Sequence, residues 1–265
     1  MISRSAYQPG LRLKVLNRPR LWSMVALVFV CGGAWTYTVL GAGMPMSAIT
    51  MSAMPSDMAM PTTEWTPLRA LLMFAMWWVM MMAMMIPSAM PMIFLYDRVA
   101  HRSHPSDCYL GIFVAGYIAI WGGVSFAAMG LHAFGDALGL INGMMTTASG
   151  YLGAALLVGA GFWQLSGIKL KCLEACRSPV EFLSRNWRSG IQGAFQMGVA
   201  HGVYCVGCCW AMMLLLFYGG VMNLYWIMGL SMFVVLEKVL PYSPVVGRLV
   251  GLTLIGSGLI ILAQT

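Results

Sequence analysis

Residues 193–217 read GAFQMGVAHGVYCVGCCWAMMLLLF, twenty-five residues without one Asp, Glu, Lys or Arg. A run of about 20 apolar residues is what an α-helix needs to cross the hydrocarbon core of a bilayer, so this stretch predicts a membrane span. It also raises a chemical question, because Met197, His201, Cys205, Cys208 and Met212 follow one another at offsets of 4, 4, 3 and 4. That spacing places all five on one helical face, with Cys209 at its shoulder. Thioether, thiol and imidazole are the ligands that select Cu(I) or zinc over magnesium and calcium. Buried cysteines also serve as small hydrophobes. A histidine among them is harder to assign to packing, since polar groups at membrane depth are expensive and usually functional. A disulfide between these neighbours is excluded by the narrow geometry such a bond requires.

Working outward, the whole chain has the same character: 60% of its 265 residues are hydrophobic and 9% are charged. Seven segments read as spans, at 21–43, 68–92, 109–132, 146–168, 193–217, 221–240 and 246–264, the last being the weakest. The expectation is an all-α polytopic membrane protein. The formal charge of +7 needs no nucleic-acid partner, because the basic residues sort by loop. With a cytoplasmic N-terminus, Arg4, Arg12, Lys14, Arg18 and Arg20 precede the first span, Arg98 and Arg102 follow the second, Lys169, Lys171, Arg177, Arg185 and Arg188 follow the fourth, and Lys238 and Arg248 follow the sixth. Only Arg69 falls on the outer side. This divides the chain into a basic cytoplasmic tail, 1–20, and a single helical membrane domain, 21–264, with an outer loop at 44–66. The basic flank of the first segment and its lack of an Ala-x-Ala site predict an anchor rather than a cleaved signal peptide. In a bacterium the bilayer concerned is the inner membrane.

Methionine is the compositional anomaly, with 26 residues, fifteen of them between Met44 and Met92. In the loop MPMSAITMSAMPSDMAMP the prolines at 45, 55 and 61 predict an irregular exposed segment. Exposed thioethers there suit capture of a monovalent copper ion. Within the second span, Met73, Met76, Met80 and Met84 form one helical stripe, a ladder from the outer toward the inner face, while Met81, Met82 and Met85 lie off it and read as packing. Equal depth counted along both helices sets Met76 and Met80 level with Cys205 and His201. Pro87 and Pro91 predict a kink or break near the inner end.

Past the fourth span, LKCLEACRSP places Cys172 and Cys176 one helical turn apart among Lys169, Lys171 and Arg177, a candidate cytoplasmic exit pair for copper or simply two reduced thiols. His101 and His104 read as loop polarity, and Cys31 and Cys108 carry no pattern. At the inner end of the sixth span, Glu237 and Lys238 suggest a structural ion-pair clamp. Lys238 can snorkel to the interface, and Glu237 needs a partner, which the cations after the fourth span could supply.

Four stretches, WVMMMAMMIPSAMP at 78–91, GFWQLSGIKLKCLEACRSPVEFL at 161–183, GVAHGVYCVGCCWAMM at 198–213 and NLYWIMGLSMFVVLEKVLP at 223–241, closely resemble a bacterial family of predicted metal-binding integral membrane proteins, a domain of unknown function sometimes labelled a copper chaperone. The resemblance implies a multi-helix inner-membrane protein with a proposed metal role. It points to Cys172, Cys176, Cys205, Cys208, Cys209 and Glu237 as the matched residues. Family sequences need not carry the Met-rich loop, so capture at 44–66 stands on composition alone.

Three function classes follow. The first is a membrane protein that binds Cu(I) at His201, Cys205, Cys208 and Cys209, with Met76, Met80, Met84, Met197, Met212, Cys172 and Cys176 as further candidates, and either passes it inward or delivers it to a membrane partner, without catalytic turnover. The second is a subunit of a copper-dependent membrane oxidoreductase, against which the shortage of imidazoles argues, with only His132 and His201 near membrane depth. The third is a scaffold subunit of a larger complex whose many glycines permit close helix packing. Phosphate-binding and phosphorylation motifs are missing, so an autonomous ATP-driven pump is excluded.

Overall fold

The computed structural model describes residues 18–43, 46–53, 65–103, 108–142, 145–240 and 243–265. The described residues form ten helices and no β-strand: α1 (Arg18–Val39), α2 (Ala48–Ser52), α3 (Pro67–Ser103), α4 (Cys108–Ala137), α5 (Gly150–Leu165), α6 (Gly167–Arg177), α7 (Pro179–Asn186), α8 (Gly190–Gly219), α9 (Leu224–Val239) and α10 (Ser243–Gln264). Within α3, α4, α8 and α10, four stretches are long and apolar enough to cross a bilayer, and α5 with α6 adds a fifth if that bent pair is one span. The described part of α1 is shorter. At 16 residues, α9 rises only about 24 Å, less than the roughly 30 Å of a hydrocarbon core.

Helices α4 and α8 pack back to back through glycine. A Cβ added to Gly198 would stand 2.0 Å from the carbonyl oxygen of Phe113, and one at Gly116 2.4 Å from that of Phe195. Only hydrogen side chains let the two backbones approach this closely, the small-residue packing expected where lipid offers no hydrophobic drive. α10 lies along α5, and α3 leans on α4.

Two expectations are corrected here. Pro87 and Pro91 lie inside a helix that continues for 37 residues. Hydroxyls gather at the carbonyls of that turn: Ser88 and Tyr117 donate to the Met85 oxygen at 2.9 and 3.2 Å, and Ser231 to that of Met84 at 3.3 Å. These are additional bonds, two of which tie α4 and α9 to this turn of α3, since the carbonyls deprived of an amide by Pro87 and Pro91 are those of Ala83 and Pro87. The Met-rich segment 44–66 is also not wholly irregular. Ser47 caps α2 by accepting from the Thr50 amide, Ala48 and Met51 are buried, and the Ser52 hydroxyl accepts from the backbone N–H of Leu224 at 2.8 Å. Met44, Met54, Met58 and Met60 lie outside the described residues, as do most of the basic tail and His104.

The predicted span 146–168 is broken at Ser166, where α5 and α6 meet at 64°. Ser166 caps α6, its hydroxyl accepting from the Lys169 amide at 3.2 Å. This bend folds α6 back against α8 and α9, and that return positions the site.

Candidate metal centre

The sulfur-bearing face of α8 turns inward as its spacing requires: Met197, His201, Cys205, Cys208, Cys209 and Met212 are all buried. Around Cys205 the thiols converge. Cys208 and Cys209 donate to the Cys205 carbonyl at 3.0 and 2.9 Å, the back-bonding that short polar side chains make within a helix. From α6 the Cys176 thiol reaches both Cys205 and Cys208. Cys172 packs one turn earlier, against Gly207, where a Cβ would come 2.7 Å from its sulfur. The pair on α6 is thus brought up to the α8 cluster, and Gly207 makes the room.

Three residues that sequence reasoning did not assign to the site complete it. Met85, read as packing, places its sulfur 3.8 Å from Cys209. Tyr117 of α4 holds its hydroxyl 3.2 Å from the Cys205 sulfur. Ser88 sits on α3 opposite Lys238. Lys238 does not snorkel: it is buried, and its ammonium donates to Ser88 at 2.8 Å and to the Cys205 sulfur at 3.0 Å. Its place was legible, because Ile227, Leu230, Ser231, Val234 and Lys238 keep the i, i+3, i+4, i+7, i+11 stripe that faces the core.

Glu237 pairs with Lys169, a cation following the fourth apolar segment, and accepts a further bond from Gln164 Nε2 at 2.8 Å. Lys169 is fully buried. The two acidic and basic neighbours on α9 thus serve different partners: Glu237 ties α9 to the start of α6, and Lys238 enters the thiol cluster.

His201 lies between three rings, Phe113, Tyr117 and Phe182, at centroid separations of 6.3, 5.6 and 5.6 Å. Both of its ring nitrogens are buried without a hydrogen-bond partner. Buried polar atoms are nearly always satisfied, so an orphaned imidazole one turn from Cys205 marks a place for a ligand. Phe182, which packs on His201, also lines a cleft of about 410 Å³ together with Lys171, Glu174, Ser178, Glu181, Arg185 and Tyr204.

The methionine ladder is placed differently from the depth estimate. Trp77 packs on Phe217 with ring centroids 5.2 Å apart, and Met85 meets Cys209. This antiparallel register sets Met76 level with Tyr218 and Met80 with Leu214, roughly 20 Å from Cys205 and His201. Met76 and Met80 are buried in the bundle but not at the thiols, whereas the same register brings the buried Met84 level with Trp210, next to Cys209. Among the described residues no three His, Cys, Asp or Glu side chains are arranged to hold a metal ion together.

A family model described as "Copper chaperone" matches residues 74–261. The chain belongs to the copper chaperone family. No curated protein and no solved structure matches it. The range shared with the copper chaperone family holds Cys172, Cys176, Cys205, Cys208, Cys209, His201, Met85, Tyr117 and Lys238, and leaves out the Met-rich segment 44–66. The second bundle histidine, His132, stacks edge-on with Phe217, sixteen residues along α8 from His201. The two imidazoles therefore do not form the paired site that oxygen-activating copper would need.

Proposed function

We propose that the chain binds Cu(I) within the bilayer at the thiols of Cys176, Cys205, Cys208 and Cys209, with His201 and Met85 as flanking soft donors, and delivers it to a protein partner. The observation that carries this reading is the convergence of thiols from α6 and α8 on the ammonium of Lys238. A Cu(I) ion held by two thiolates has a net charge of −1, and an apolar interior tolerates such a complex only beside a counter-charge. Lys238 supplies it, since its hydrogen bonds go to Ser88 and Cys205 rather than to a carboxylate. Copper is favoured over zinc by the family description and by the Met85 thioether beside Cys209, a donor type zinc does not take. The cleft beyond Phe182, with its mixed rim of Lys171, Glu174, Glu181 and Arg185, is suited to receive a partner at the point where the ion leaves.

This reading retains seven spans in the inner membrane with a cytoplasmic N-terminus, supported by the distribution of basic residues. The Met-rich segment 44–66 would then face outward and gather copper. No catalytic turnover is required.

The test is Cu(I) affinity in detergent, measured by competition with a chromophoric chelator, together with X-ray absorption at the copper edge. Replacing Cys176, Cys205, Cys208 and Cys209 by serine should remove the tightest ion and its thiolate sulfur signature, because a hydroxyl is a poor donor to a soft ion. Replacing Cys31 and Cys108 should change neither. A serine variant that keeps its tightest copper would show that the thiols are only packing.

A further inference from the structure

We propose that the bundle carries a second soft-metal site, built from His132, Met73 and Met145, at the end where Trp65 lies. It is separate from the thiol cluster, since Phe217, which packs on His132, is twelve residues along α8 from Cys205, roughly 18 Å.

His132 is 3% exposed, and its Nδ1 is buried without a hydrogen-bond partner. Its ring is bracketed by two aromatic edges, Trp65 at 5.9 Å and Phe217 at 6.1 Å. Neither ring offers Nδ1 a hydrogen bond, and the charged groups nearest the imidazole, Asp136 and Arg69, are engaged with Trp65 and leave Nδ1 unpartnered. Trp65 is fixed there by its own bond: its Nε1 donates to Asp136 at 2.7 Å, one turn beyond His132 on α4. The imidazole is thus held in place by neighbours that leave its nitrogen vacant.

The buried thioethers come from the two segments that carry those brackets. Met73 is 5% exposed and lies one helical turn before Trp77, whose ring packs on Phe217. The same stripe of α3 continues to Arg69, whose guanidinium covers Trp65 at 5.0 Å. Met73 therefore lies between the two contacts that enclose His132. Met145 is also 5% exposed, and its carbonyl accepts from the Val221 amide at 3.4 Å, just past Phe217 on the chain. Ile141 packs where a Cβ on Gly135 would stand, 2.6 Å away, and the Thr147 amide donates to the Phe217 carbonyl at 2.8 Å. Met145 itself adopts φ +59°, the left-handed region that a long side chain rarely visits. Backbone strain of this kind persists where the surroundings fix it, often at a ligand site.

One imidazole and two thioethers are neutral, soft donors, a set that takes a monovalent Cu(I) or Ag(I) ion and discriminates against hard cations. A neutral set also binds more weakly than thiolates, so an ion resting here would pass downhill toward Cys209 and Met85. In sequence, Met58 and Met60 stand seven and five residues before Trp65.

The probe is Ag(I), which is soft and does not change oxidation state. Bound silver per chain is counted by equilibrium dialysis and mass spectrometry in detergent, for the wild type, for His132→Ala, and for Met73→Leu with Met145→Leu, a swap that keeps side-chain volume. Each variant should hold one ion fewer than the wild type. In the chain whose four bundle cysteines are serine, copper-edge absorption should show nitrogen with thioether sulfur, and the nitrogen should vanish in His132→Ala. Unchanged silver in the double leucine variant overturns the proposal, whatever the serine chain does. Loss on cysteine replacement alone tests the thiol site and leaves this count untouched, so the two readings fail separately.

Discussion

Replacing Lys238 by Met should make the protein bind Cu(I) far more weakly while leaving it as stable as before, or more so. The two effects have opposite physical origins. In the metal-free chain the ammonium is buried and hydrogen-bonded only to Ser88 and Cys205, and desolvating a cation costs several kcal/mol that two such bonds only partly offset. A methionine of similar length removes that penalty, and exchanges of buried charge for packed apolar groups run from neutral to about 4 kcal/mol stabilising. With copper bound the balance reverses. At an effective dielectric constant of about 20, unit charges 3.0 Å apart attract by about 5 kcal/mol. With the single negative charge of the complex spread over two sulfurs, about 4 kcal/mol remains, equivalent to nearly three orders of magnitude in affinity. Thermal unfolding in detergent and chelator competition on the same preparation give both numbers. A variant that binds copper as tightly as the wild type would refute the counter-charge, and a large loss of stability would refute the account of Lys238 as a costly buried cation.

Two further outcomes follow from the same geometry. Glu237→Gln leaves the fully buried Lys169 without its carboxylate and should destabilise the protein by about 3–5 kcal/mol, whereas Lys169→Met together with Glu237→Leu should recover most of the loss; equal melting of Glu237→Gln and wild type would contradict the buried pair. For sidedness, alkaline phosphatase fused after Thr63 should be active and after Ser178 inactive, and the reverse pattern would overturn the orientation proposed here.

The helical class and the inward face of α8 were legible because both rest on local rules, an unbroken apolar run and a repeat near 3.6 residues. Lys238 shows where the reading stopped short. Its periodicity placed it on the buried stripe of α9, but the general expectation that a terminal lysine reaches for the interface overrode that pattern. The register of α3 against α8 could not be read at all. α3 is 37 residues long, about 55 Å, so it extends well past any bilayer, and matching helices by their apolar centres misplaces Met76 and Met80. Met85 was set aside because it lies off the stripe of Met73, Met76, Met80 and Met84, and only that register shows its neighbour to be Cys209. The return of α6 is a tertiary event: Ser166 offers a cap, but nothing local in 161–177 says that the bend will carry Cys176 back to α8.

That bend makes the donor set mechanically unequal. Cys205, Cys208 and Cys209 ride on a long helix locked to α4 through Gly198 and Gly116, whereas Cys176 sits ten residues from the pivot at Ser166, on a lever about 15 Å long. A swing of about 10° at the pivot would carry its sulfur some 2.6 Å, enough to part a metal–sulfur bond, while moving Lys169, three residues from the pivot, by less than about 1 Å. Arg177, beside Cys176, ties this tip to the Leu240 carbonyl at 2.7 Å, so in the Cu(I) reading proposed above the dwell time of a bound ion would depend on that bond and on the Lys169–Glu237 tie as well as on its ligands.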